Sequence, residues 1–161
     1  MTVDVERVCS TRSATPAAAH AHALEGLNPA GPRSGIGCVN TGCHAAGNLG
    51  AGATAFAFAG TLYKATDGAA VAPGVTIHLY KKDAKVSLAN AVTDTAGNFV
   101  IRGTFDQFPY QTLVSGCGPA APNDIRPMIT PIGAPNDRNC SSGACHAVPG
   151  GGAGAAYIGD I

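Results

Sequence analysis

Val75-Thr76-Ile77-His78-Leu79-Tyr80 decides the fold of this chain. Val75, Ile77 and Leu79 alternate with Thr76, His78 and Tyr80, the period of two that marks a half-buried strand. On this reading the first three face a core, and His78 points outward with Thr76 and Tyr80. The same pattern returns on both sides. Upstream, Phe56, Phe58 and Leu62 alternate with small residues, and Gly60 fills the gap. Downstream, Phe99 and Ile101 alternate with Val100 and Arg102. Further short strands are expected near 89–93 and 110–114. Turn-forming groups separate the runs: Thr66-Asp67-Gly68, Pro73-Gly74, Lys81-Lys82-Asp83 and Asp94-Thr95-Ala96-Gly97-Asn98. Six or seven short strands at this spacing predict a mainly β protein with one small antiparallel β-sandwich.

Large apolar side chains concentrate in the same region. Of the 37 in the 161-residue chain, 20 lie between Ala55 and Val114. We therefore divide the chain into an N-terminal segment (1–54), a β module (55–115) and a C-terminal segment (116–161). Both end segments read as loop-rich. The chain has 22 Gly, 11 Pro and no Trp, and much of its 45% hydrophobic content is alanine. Segments of this composition need a cross-link, a cofactor or a partner chain to become ordered.

The β module resembles the carboxypeptidase regulatory-like and collagen-adhesin B-type family of small β-sandwiches. The residues that carry the likeness are Gly60-Thr61-Leu62-Tyr63, Asp67 to Tyr80, and Thr93 to Ile101. It covers roughly residues 55–115 and implies a scaffold or spacer. It implies no activity, since fold and function are separable.

Charge excludes one class of partner. Ten basic and ten acidic residues cancel, and charged residues are 12% of the chain. A nucleic-acid phosphate backbone needs a basic face, so no nucleic acid is expected. No stretch is long and apolar enough to span a bilayer. The start, Met1-Thr2-Val3-Asp4-Val5-Glu6-Arg7, lacks a basic region followed by an apolar one. The six cysteines nevertheless argue for an oxidising compartment, extracellular or periplasmic. The expectation is a mature product or a start placed in the wrong position.

The one internal repeat lies in the core-poor ends. Cys38-Val-Asn-Thr-Gly-Cys43-His44 and Cys140-Ser-Ser-Gly-Ala-Cys145-His146 share a spacing, and Ala follows each. A cysteine pair followed at once by His resembles the attachment site of c-type haem. The usual spacing has two residues between the cysteines; here there are four, a variant found in some multihaem cytochromes. The resemblance implies two covalently attached haems. Cys38, Cys43, Cys140 and Cys145 would form the thioethers, and His44 and His146 would be proximal iron ligands. A haem is a large apolar body, so it would also supply buried surface that the end segments lack.

Three other uses of these residues stay open. Four cysteines and two histidines can bind zinc, although an adjacent Cys-His pair fits poorly on one tetrahedral ion. Plain disulfides suit a secreted protein but leave the histidines unexplained. A thiol redox enzyme would want two residues between the cysteines. Cys9 and Cys117 remain, and in an oxidising compartment we expect a Cys9–Cys117 disulfide, with two buried thiols as the alternative.

Two haems with closed coordination need two distal ligands. His20 and His22 are the first candidates. Two apart in an extended segment, they point in opposite directions and can serve different haems. His78 is the reserve, and Met128 is a ligand that would raise one potential. Carboxylates are sparse, and no acid, base and nucleophile cluster in the sequence. The expectation is therefore an electron-transfer protein and not an enzyme. With one motif near each end, haem faces would seek partners. Head-to-tail contact between copies would build an open filament. This is similar to extracellular multihaem cytochrome filaments, whose partners are further copies and redox proteins or extracellular acceptors. A monomeric periplasmic dihaem shuttle, and a non-haem secreted adhesin or spacer, are the alternatives.

Overall fold

The computed structural model describes residues 39, 44–47, 49, 53–64, 72–115, 125–127, 131–133 and 140. Among these the regular structure is all strand, with no helix. The strands are β1 (Phe58–Thr61), β2 (Thr76–Lys81), β3 (Ala89–Val92), β4 (Asn98–Ile101), β5 (Tyr110–Ser115) and β6 (Ile125–Pro127). They form two small antiparallel sheets, one with order β1-β4 and one with order β3-β2-β5-β6. Five strands coincide with the alternating runs in the sequence. The sixth lies in the segment read as loop-rich and pairs with β5, Val114 opposite Arg126. Three residues are too few for periodicity to register.

Turn chemistry sets the connections. Asp94 Oδ1 accepts from the backbone N–H groups of Ala96 and Asn98, at 2.8 and 2.9 Å. This Asx turn needs a left-handed residue, which Gly97 supplies with φ of 75°. The same stretch is anchored from below. The buried Thr93 hydroxyl donates to Ala72 O at 2.7 Å and accepts from Val75 N at 2.9 Å. The Thr66-Asp67-Gly68 turn lies outside the described residues.

Two apolar clusters hold the sheets together. The first joins Phe58, Leu79, Ile101, Tyr110 and Ile132. The second joins Leu62, Ala72, Val75, Ile77 and Phe99, with Cys140 packed against it. Both draw side chains from both sheets, so Val75, Ile77 and Leu79 do face the core.

The other face of β2 corrects the sequence reading. Thr76, His78 and Tyr80 are not outward-facing surface residues: they are 0%, 1% and 2% exposed. β2 is an interior strand, with β3 on one edge and β5 on the other. Alternation separates two faces, but it does not say that the second meets water.

Candidate functional site

The site is built on the stretch that enters β1. Phe56 donates its backbone N–H to His44 O at 3.0 Å. Three residues on, Ala59 O accepts the backbone N–H of Cys140 at 3.1 Å. Leu62 N bonds Gly97 O, so even-numbered residues of β1 turn their backbone groups to β4 and Ala59 turns its carbonyl away. The strand edge that β4 leaves open therefore receives Cys140. Extended chain rises about 3.3 Å per residue, which puts the two anchor points at most about 10 Å apart. The repeated motifs flank the β module in sequence, yet His44 from one and Cys140 from the other meet the same short stretch.

His44 is buried and oriented by two contacts. Its Nδ1 lies 2.7 Å from Thr54 O. A carbonyl can only accept, so Nδ1 carries the proton, and in the neutral ring the lone pair sits on Nε2. The ring also lies flat on Phe56, with centroids 3.7 Å apart and planes 6° from parallel. Arg102 holds the platform: its guanidinium lies 4.9 Å from the Phe56 ring centroid and donates to Thr54 Oγ1. Metal-bound histidines are commonly fixed by such a bond from the far nitrogen to a carbonyl.

Cys140 reaches β1 because position 60 is glycine. A Cβ on Gly60 would stand 2.9 Å from the Cys140 Cβ and 3.1 Å from the Phe99 ring. A glycine inside a strand often marks such a close approach. We expect Gly60→Val to drive Cys140 off the strand. In a limited-proteolysis time course, cleavage near residue 140 should then appear at protease levels that leave the parent intact.

His78 sits elsewhere, at the centre of β2, opposite Asn90 in β3 and Leu113 in β5. Among the described residues, neither of its ring nitrogens has a hydrogen-bond partner, and the Thr76 hydroxyl also lacks one. Leaving a buried polar group unpaired costs about 1–3 kcal/mol. Burial pushes the His78 pKa from 6.5 down to about 4, so the ring is neutral at pH 7.

The remaining expected site residues, Cys38, Cys43, Cys145, His146, His20 and His22, lie outside the described residues. So do Cys9, Cys117 and Met128. Among the described residues no three His, Cys, Asp or Glu side chains gather as a metal-binding group, and no helix is long and apolar enough to cross a membrane. Thr54 and Phe56 escaped the sequence reading, because a backbone carbonyl and an aromatic platform leave no motif.

No family model matches the chain, and comparisons with curated proteins and with solved structures find no match either.

Proposed function

We propose that this chain is a dihaem c-type cytochrome that carries electrons outside the cytoplasm. The observation that supports it best is the tethered imidazole of His44. Thr54 O fixes its tautomer, Phe56 fixes its plane, and its lone-pair nitrogen is the one a metal would use. The adjoining Cys38 and Cys43 would hold one macrocycle through thioethers, and Cys140 and Cys145 the second, with His146 in the role of His44. A bound haem iron takes up and releases one electron. The protein's part is to hold the ligands, and the β module, a small sandwich in this reading, is the frame that does so. We assign no bond-making activity.

Assembly has two forms. Head-to-tail stacking of copies into a filament follows from motifs near both ends of the chain. The monomeric shuttle is supported by the shared anchorage of His44 and Cys140, one residue from each motif bonded to the same short stretch of a single subunit.

The test is the visible spectrum of the dithionite-reduced protein, with intact mass on the same sample. A sharp c-type α-band and a mass increased by two haems are expected. A colourless protein would overturn the reading and leave a secreted β spacer with zinc or disulfides. Sedimentation at high concentration separates filament from shuttle.

A further inference from the structure

We infer that His78, borne on the β-sheet, is an axial iron ligand and takes the distal position of one haem. The inference rests on the dihaem reading and replaces one of the two arm histidines, His20 or His22, with a residue fixed by the fold.

Three observations carry it. First, the strand position is rigid. β2 is paired on both edges, with His78 opposite Asn90 and Leu113, so the Cα is held by ladders on both sides. A metal site gains from ligands on such elements. Second, the imidazole is 1% exposed and, among the described residues, both nitrogens lack a hydrogen-bond partner. Buried polar groups in proteins are satisfied as a rule, and an exception calls for a ligand or another cause. Third, His78 is not alone. Thr76, two residues earlier on the same face and 0% exposed, has a hydroxyl that also finds no partner among the described residues. A nitrogen lone pair and a hydroxyl on one buried face complement a group that offers both a metal and an acceptor. A haem offers iron and propionate carboxylates.

The chemistry of the ring agrees. Metals bind neutral imidazole, and burial in this strand keeps His78 neutral well below pH 7. The Tyr80 ring has its centroid 6.2 Å away and is tilted by 36°, so it does not stack on the imidazole.

The test uses the haem-loaded full chain in the ferric state. In proton NMR, iron-bound histidine protons are displaced far outside the diamagnetic range. We expect His78 ring signals there, and diamagnetic His78 signals overturn the inference. In His78→Leu, which keeps the volume and removes the nitrogens, half of the low-spin absorption per chain should be lost. Added imidazole should restore it in His78→Gly. Undiminished low-spin absorption in folded His78→Leu overturns the inference. If the variant fails to fold, the wild-type NMR result decides. Failure of the cytochrome reading looks different: the wild-type protein then has no haem spectrum at all, and the inference falls with it.

Discussion

If the chain is the dihaem cytochrome proposed above, replacing His44 with alanine should remove about half of the low-spin haem signal per chain. The reasoning starts from the tautomer. Nδ1 must donate to Thr54 O, so only Nε2 can offer a lone pair. The Phe56 platform holds the ring plane within 6° of its own, so little rotation is available to another ligand geometry. On that reading, loss of the imidazole would leave one iron a ligand short, and a five-coordinate iron is high-spin. Reduced-minus-oxidised spectra and ferric EPR on His44→Ala read this directly, with intact mass reporting whether attachment also fails. Exogenous imidazole should restore the low-spin fraction in His44→Gly. Unchanged low-spin intensity would show that His44 is a buried structural histidine. Phe56→Leu is the graded companion: the Nδ1 bond stays while the platform goes, so the spectrum should persist with broadened ligand-field features.

The second large effect is on stability. Phe58→Ala should cost about 3–5 kcal/mol, the range for removing a fully buried aromatic ring. Phe58 is 1% exposed and sits where both sheets meet. Its ring contacts Phe105 and Tyr110 edge-on, at 5.7 and 5.8 Å between centroids. Phe105 and Tyr110 in turn contact each other, and Phe108 packs on Tyr110. Small domains have about 5–15 kcal/mol of stability in total, so this one change should consume a large share. Urea unfolding followed by tyrosine fluorescence measures it. A midpoint change equivalent to under about 1 kcal/mol would mean that the cavity collapses or that the cluster does not hold the sheets together. The same variant should loosen His44 and Cys140, since both are bonded to the backbone within two residues of Phe58. On the dihaem reading, thermal melts monitored at the haem and at the backbone should therefore move together.

The strands at 58–61, 76–81, 89–92, 98–101 and 110–115 could be read from residue order, because alternation and turn chemistry act over a few neighbours. The Asp94 turn is the clearest case: the carboxylate, the two N–H groups that donate to it and Gly97 all lie within five residues. The Cys-x4-Cys-His repeat is equally local, and the cofactor proposal starts from it. What residue order could not supply is which faces and which distant segments come together. Alternation placed His78 opposite Ile77 and Leu79, but burial of that second face depends on what the rest of the chain lays over the sheet. The bond from Cys140 N to Ala59 O joins residues 81 positions apart, and nothing near either residue encodes it except the missing side chain at Gly60. Short-range preferences thus defined the strands, the turns and the repeated Cys-x4-Cys-His motif. Long-range packing alone decided that His44 and Cys140 meet one short stretch at β1 and that His78 is enclosed, because burial is a property of the assembled surface and not of any window along the chain.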